Sequence, residues 1–184
     1  MPELIRSDGG LLAQATKVKL CHDTRTLRIR FDCEDKAAWS TFTRRDEPIH
    51  HNEVVAIALA PGADTPSSYY EFALSPGNVK WDARVTHTDQ MGSNVYVNNT
   101  WKSAAYNSLV QRDDLNNRWY CWLGISLRDM CADGVIPELW RANIYRIDRP
   151  PGVTDIARAE VSTWAAINLA SLPPVHSFGT LRLL

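Results

Sequence analysis

Polar residues interrupt an apolar stretch in the second half of this 184-residue sequence. The stretch is W-R-A-N-I-Y-R-I-D-R-P-P, residues 140–151, and its strand-like core contains Arg141, Asn143 and Arg146. Guanidinium and amide groups bind hydroxyls and carboxylates through well-directed hydrogen bonds. These three side chains therefore either line a polar cleft that binds a ligand or form a buried ion-pair network that fixes the strand ends.

Two further groups of side chains suggest ligand or ion binding. Seven tryptophans are many for this length, and a tryptophan on a sheet face can stack on a flat ligand. Trp101 lies in an Asn-rich segment, residues 86–107, where it either closes over a site as a lid or anchors the loop by packing. Asp32, Glu34 and Asp35, with Asp82, have the oxygen-rich character that calcium prefers, although a solvated acidic edge has the same composition. The metal content therefore stays open.

No catalytic residue is predicted. Glycoside hydrolysis needs two carboxylates about 5–9.5 Å apart, and no spacing in the sequence defines such a pair. The sequence has no G-x-S-x-G, no Walker loop and no H-E-x-x-H. We expect a protein without enzymatic activity and without an organic cofactor.

Charge and hydropathy restrict the partners. Twenty basic and twenty-one acidic residues give a formal charge of -1, which argues against a nucleic-acid partner. No apolar run approaches the length of a membrane span, about 20 residues, so no membrane partner is expected. The first residues lack a signal-peptide pattern, so we expect a cytoplasmic protein or one whose leader is absent from this sequence.

The four cysteines show no C-x-x-C spacing, which argues against a zinc site. Cys33 and Cys121 fall on the apolar phase of their predicted strands, where we expect buried free thiols. A Cys21–Cys33 disulfide across a hairpin is the alternative.

Short alternating segments separated by turn residues dominate the chain. Residues 27–33 and 119–127 each alternate apolar and polar side chains, which predicts half-buried antiparallel strands. Residues 54–59 are apolar on both phases, which predicts a central strand covered on both faces. Eight to ten such strands, with hardly any helical periodicity, predict an all-β fold, an antiparallel β-sandwich of the immunoglobulin or jelly-roll type, over one domain (residues 1–184). A β-barrel is the alternative.

Several motifs in the same order resemble the carbohydrate-binding module family 9, a DOMON-like β-sandwich group. They are F-D-C-E-D at 31–35, R-D-E-P-I-H-H-N-E-V-V-A-I-A-L-A-P at 45–61, Y-Y-E-F-A-L-S-P at 69–76, W-D-A-R at 81–84, W-R-A-N-I-Y-R-I-D-R-P at 140–150, Trp164, and F-G-T-L-R-L at 178–183. The resemblance spans nearly the whole chain and implies the same sandwich that the strand pattern predicts.

The resemblance also implies a ligand and its site. In the family, two tryptophans clamp a sugar ring; Trp164 matches one of them, and His50 stands at the position of the other. Ala56 stands in place of a family glutamate, and Ala73 or Leu74 in place of a polar residue. We expect a carbohydrate-binding module that stacks a sugar between Trp164 and His50, with Arg141, Asn143 and Arg146 contacting hydroxyls.

Two alternatives remain. One is an interaction or ligand-carrier domain that has lost sugar binding and forms a homo-oligomer. The other is an accessory domain of glycoside hydrolysis.

Overall fold

The computed structural model describes residues 3–88, 94–165 and 175–184. Their regular structure is twelve β-strands and five single-turn 3-10 helices. The strands are β1 (Ile5–Arg6), β2 (Thr16–His22), β3 (Thr26–Glu34), β4 (Val54–Pro61), β5 (Ser68–Leu74), β6 (Lys80–His87), β7 (Val95–Asn98), β8 (Asn107–Asp113), β9 (Arg118–Ser126), β10 (Leu139–Asp148), β11 (Glu160–Thr163) and β12 (Gly179–Arg182). The 3-10 helices are Ile49–His51, Asp114–Asn116, Arg128–Met130, Ile156–Arg158 and Val175–Ser177. In these residues, no helix is long and apolar enough to cross a bilayer.

The strands form two antiparallel sheets. The larger has eight strands in the order β1-β11-β10-β4-β5-β6-β7, with β12 pairing beside β11 on the same edge of β10. The smaller has four strands in the order β2-β3-β9-β8. Each sheet ends in edge strands and neither closes on itself, so the predicted β-sandwich is confirmed and the barrel alternative is wrong.

The main core lies between the two sheets. Alternation places Leu27, Ile29 and Phe31 of β3 on the inner face of the small sheet, and all three are at most 1% exposed. Opposite them, Ile57 of β4 and Phe72 of β5 lie on the inner face of the large sheet. Because side chains along a strand alternate between the two faces of a sheet, each sheet has one apolar face, and the two sheets bury these faces against each other.

The large sheet is also covered on its other side, which we call the outer face. Ile49 from the first 3-10 helix packs there against Val54 and Ala56. Phe178 and Tyr69 form a second apolar cluster farther along. The prediction that residues 54–59 form a central strand is confirmed, because β4 lies between β10 and β5 and is buried on both faces.

Two strands were not predicted. β1 is only two residues long, and β8 (N-S-L-V-Q-R-D) is a polar edge strand without clean alternation. The segment 86–107 was predicted to be a loop, with a short strand at N-V-Y-V as the alternative, and it contains the end of β6 and the whole of β7, which overlaps that motif. Both β7 and β8 pair through backbone hydrogen bonds, which need no particular side-chain pattern.

All four cysteines are free thiols. Cys33 and Cys121 are buried as predicted, and burial raises the pKa of Cys33 to about 12. The alternative Cys21–Cys33 disulfide is wrong, because Cys21 is exposed and pairs with Arg28 at one end of the hairpin, whereas Cys33 pairs with Thr16 at the other.

Candidate functional site

A carboxylate stands near the centre of the outer face. Glu71 of β5 is flanked by Ala58 on β4 and Ala83 on β6, its partners in the two ladders. Ala58 in turn pairs with Asn143 on β10. Because alanines surround it, the longer Glu71 side chain rises from a floor of methyl groups, and it is fully buried beneath the chain that covers this face.

Two side chains from different segments meet the Glu71 carboxylate. Tyr145 Oη donates to Glu71 Oε1 over 2.7 Å, and His50 Nε2 lies 2.9 Å from the same oxygen. The His50 ring also contacts Trp81 edge to face, with 4.7 Å between ring centroids. Burial, followed by the neighbouring Glu71, raises the pKa of Tyr145 well above its ordinary value. Tyr145 therefore stays a neutral hydroxyl that can donate to the carboxylate.

Several polar atoms on this face have no hydrogen-bond partner among the residues that the structure describes. They are Glu71 Oε2, the Tyr69 hydroxyl, both ring nitrogens of His87, and Arg141 Nε. Tyr69 lies against His87, with 5.9 Å between ring centroids, and against Phe178, with 5.2 Å. An unsatisfied buried polar group costs about 1–3 kcal/mol, so this concentration favours a ligand that supplies hydroxyl groups.

Arg146 points to the inner side of the sheet and belongs to a buried ion-pair network. Its guanidinium donates to Asp35 over 2.8 Å and to Glu53 over 2.6 Å, and lies 3.3 Å from Asp148. It also donates to the backbone oxygen of Glu34. Through these contacts Arg146 joins the two sheets. Its side chain is only 1% exposed, so the predicted alternative of a buried network at the strand ends describes it better than contact with sugar hydroxyls does.

This network predicts an unusual dependence of stability on pH. Burial, with a hydrogen bond to Asp35, raises the pKa of Glu53 well above its ordinary 4.5. A raised folded-state pKa gives stability that is present below pH 4.5 and is lost as pH rises towards the folded-state pKa. We expect the free energy of unfolding, measured in urea, to fall relative to that of Glu53→Gln by about 1.4 kcal/mol per pH unit in that range. A pH-independent difference would contradict this assignment.

Carboxylates of Asp35, Glu53 and Asp148 lie within 4.8 Å of one another, which is close enough to share a metal ion. Arg146 already brings a positive charge into this group. The other acidic residues considered for calcium lie apart: Asp32 pairs with Arg30, Glu34 with Arg118, and Asp82 with Arg45. Calcium binding therefore stays a prediction. At the group formed by Asp35, Glu53 and Asp148, the positive charge of Arg146 would compete with a calcium ion for the carboxylates.

Solved structures described as carbohydrate-binding superpose on most of this chain. A candidate carbohydrate-binding protein from Bacteroides uniformis superposes with a TM-score of 0.70 at 12% identity, over 93% of this chain and 79% of that one. A family 9 carbohydrate-binding module from Caldicellulosiruptor kristjanssonii, in complex with cellotriose, gives a TM-score of 0.61 at 12% identity, over 95% of this chain and 77% of that one. This chain has the fold of a family 9 carbohydrate-binding module. The same module in complex with glucose gives a TM-score of 0.60.

One curated protein is similar to this chain in sequence. It is described as an extracellular protein of Arthroderma benhamiae and is 31% identical over 141 residues, which are 71% of this chain and 62% of that protein. The match thus spans less than two thirds of the relative's length. No protein-family model matches the sequence.

In this family 9 fold, Trp164 and His50 lie on opposite sides of the large sheet. Trp164 packs on the inner side, where it borders a cavity of about 90 Å³ with Leu4, Val18 and Ile144. His50 lies on the outer side beside Glu71. The expected clamp of Trp164 and His50 is therefore not formed, because Trp164 directly follows Thr163, which faces outward beside Tyr145, and alternation turns Trp164 inward.

The other predicted site residues are largely committed to internal contacts. Asn143 exchanges hydrogen bonds with the backbone of Ala165 and is fully buried. Arg141 donates to Thr180 and to the backbone oxygen of Phe178, which leaves its Nε free on the outer face. Trp101 packs on the inner side against Tyr70, with 4.5 Å between ring centroids, so it anchors its loop and is not a lid over the outer face.

Sequence reasoning did not select Glu71, Tyr69 or Trp81 as ligand-binding residues. The segment Y-Y-E-F-A-L is buried on both phases, so alternation cannot tell which face carries the carboxylate. The sequence signal that could have indicated the site is the glutamate itself. A glutamate among aromatic residues in a strand is seldom buried without polar partners, so its presence points to a polar site.

Proposed function

We propose that this chain is a non-catalytic carbohydrate-binding domain whose ligand binds on the outer face of the large sheet, around Glu71. The observation that carries the proposal is the set of partnerless polar atoms there: Glu71 Oε2, Tyr69 Oη, the His87 ring nitrogens and Arg141 Nε. Sugar hydroxyls both donate and accept hydrogen bonds, so one ring could satisfy several of these atoms. The fold, shared with modules seen in complex with glucose and cellotriose, supports this ligand class.

The roles follow from the chemistry of each group. Glu71 Oε2 would accept from a hydroxyl, while Oε1 is held by Tyr145 and His50. Arg141 Nε would donate to a hydroxyl oxygen, and Tyr69 Oη can donate a hydrogen bond or accept one. Trp81, which is partly buried and contacts the His50 ring, could offer a stacking surface. Tyr69 and Glu71 are fully buried, so a sugar would have to displace side chains that contact them, such as Phe178 at Tyr69 and His50 at Glu71.

Calorimetric titration of the wild-type protein with glucose and cellotriose tests the proposal. We expect binding of at least one sugar, and Tyr69→Phe to weaken it about tenfold while leaving the fold intact or more stable. The reason is that the lost hydroxyl has no partner within residues 3–88, 94–165 and 175–184, so we expect the complex to be what uses it. Glu71→Gln should weaken binding more, because a charge-assisted hydrogen bond contributes about 1.5–3 kcal/mol.

Tyr70→Phe is the matched control, because Tyr70 is the neighbouring tyrosine but packs on the inner side against Trp101. Its sugar affinity should equal that of the wild type. Absence of binding to either sugar by folded wild-type protein would reject the proposal, as would unchanged affinity in both Tyr69→Phe and Glu71→Gln. Turnover of chromogenic glycosides would reject its non-catalytic part.

A further inference from the structure

The small sheet has an exposed outer side that the proposed sugar site does not use. Three rows of side chains cross its four strands, in the order β2-β3-β9-β8. We call them the basic face, and they are Lys17, Asp32, Tyr120 and Gln111; Lys19, Arg30, Trp122 and Leu109; and Cys21, Arg28, Gly124 and Asn107. The hairpin residue Asp23 borders the face through its ion pair with Arg28.

The basic face carries a concavity of about 1010 Å³. Gly124, in the last of the three rows, has no side chain and lies at the floor of the concavity, whereas its neighbours Trp122, Arg28 and Asn107 line it with side chains. The floor is strand backbone, already paired on both sides in the ladders. Ligand sites of small molecules measure about 300–1,000 Å³, so a short oligomer of rings would fit.

The concavity is lined by basic side chains, although acidic residues stand around it. Lys19, Arg28 and Arg30 line it, and no acidic residue is among its lining residues. The surrounding acids are Asp32, Asp23, Glu3 beside Lys17, and Glu34 and Asp113 on either side of Arg118. Lys17 and Lys19 make no ion pair in the part of the chain that the structure describes, and both are exposed. An anionic ligand would therefore be attracted to this side of the molecule.

One cation is already held in place. The Arg30 guanidinium lies 5.1 Å from the Trp122 ring centroid and 5.4 Å from that of Tyr120, and it pairs with Asp32. Its Nε is used by Asp32, so its terminal nitrogens remain for a carboxylate. Beside it, Leu109 is 59% exposed, which is unusual for a leucine on a sheet and adds an apolar wall.

We propose that the basic face binds a carboxylated sugar chain, one built of uronic acid rings. A pyranose ring would lie on the Gly124 floor against Trp122, and its carboxylate would meet Arg28, Arg30 or Lys19. An acidic peptide fits less well, because peptides bind sheets by pairing with an edge strand, and the backbone at Gly124 is already paired on both sides. This site is separate from the outer face and does not depend on sugar binding there.

Trigalacturonate is the probe, and Gly124→Thr is the decisive variant. A Cβ at Gly124 would lie 3.8 Å from Asn107 and 3.9 Å from Thr26, which is ordinary contact, so the strand accepts a Cβ there, and threonine is a residue type favoured in strands. We expect calorimetry to detect trigalacturonate binding to the wild type, and Gly124→Thr to weaken that binding about tenfold or more. Adding NaCl to about 0.5 M should also weaken it, because salt at that concentration largely screens surface charges. Arg28→Gln should weaken it too.

Cys21 provides a readout of location. It is the exposed cysteine and lies on the basic face, so bound trigalacturonate should slow its alkylation, resolved by mass spectrometry, relative to Cys131. Arg112→Gln is the charge-matched control, because Arg112 is an exposed arginine of β8 whose ladder partner Trp119 points inward. It should leave affinity unchanged.

Any of three results would overturn the proposal: no binding of trigalacturonate, equal binding by Gly124→Thr, or hexaglutamate displacing trigalacturonate at equal concentration, which would indicate an acidic peptide site. Cellotriose affinity, measured in the same Gly124→Thr variant, separates this proposal from the proposed function. It should be that of the wild type whatever happens at the basic face.

Discussion

Replacement of Arg146 by methionine is expected to lower the free energy of unfolding by about 3–5 kcal/mol. The guanidinium is 1% exposed and holds Asp35 and Glu53 together between the sheets. Removing it leaves the Asp35 carboxylate and the Glu53 carboxyl group buried without a cation, and an uncompensated buried charge is the costly case. Urea unfolding followed by tryptophan fluorescence measures the loss.

Two comparisons make the Arg146 result specific. Arg182→Met removes an arginine that is 63% exposed and pairs with Glu138, so its cost should stay below about 1 kcal/mol. Above the raised pKa of Glu53, Arg146→Met combined with Glu53→Gln should be more stable than Arg146→Met alone, because glutamine carries no charge there. If Arg146→Met unfolds at the same urea concentration as the wild type, the network does not join the sheets.

The fold was predictable because the alternation of apolar and polar side chains along each strand can be read from a few consecutive residues. Leu27, Ile29 and Phe31 alternate with arginines and an aspartate, and the same alternation in the structure separates the core from the basic face. The apolar run 54–59 correctly predicted a strand buried on both faces. β8 escaped prediction because an edge strand is held by backbone pairing on one side, which its polar sequence does not reveal.

The site was predictable only in part, because its position depends on which face a strand turns outward. The alternation of 140–147 correctly separates Arg141, Asn143 and Tyr145 from Ala142, Ile144 and Arg146, but the sequence does not say which set faces the partner sheet. The resemblance implied a glutamate at the position of Ala56, which pairs with Ala73, and the buried carboxylate on this face is Glu71, two residues before Ala73 on the adjacent strand. Such a displacement is visible only when the strands are aligned in space.

Replacement of Gly179 by alanine is expected to cost about 1–3 kcal/mol of stability through overpacking against Trp164. A Cβ at Gly179 would lie 2.8 Å from two carbons of the six-membered ring of that indole, closer than any real contact. The ring is rigid and packs against the core, so it cannot turn away freely. Thermal or urea unfolding of the purified variant measures the cost.

Gly124→Ala is the matched control for Gly179→Ala. Gly124 is also a strand glycine, but its Cβ would meet nothing nearer than 3.8 Å, so we expect a gain of about 0.5 kcal/mol from reduced chain entropy. The contrast separates the contact with Trp164 from the general effect of adding a methyl group.

A double-mutant cycle then locates Trp164. Trp164→Leu removes the ring that the new Cβ meets, so Gly179→Ala should cost little in that background, giving a coupling of about 1–3 kcal/mol. Because Trp164 lies on the inner side, Trp164→Leu should also keep the wild-type affinity for cellotriose. If the two stability changes instead add, and cellotriose binding is lost, Trp164 stands on the sugar-binding face and the family clamp is retained after all.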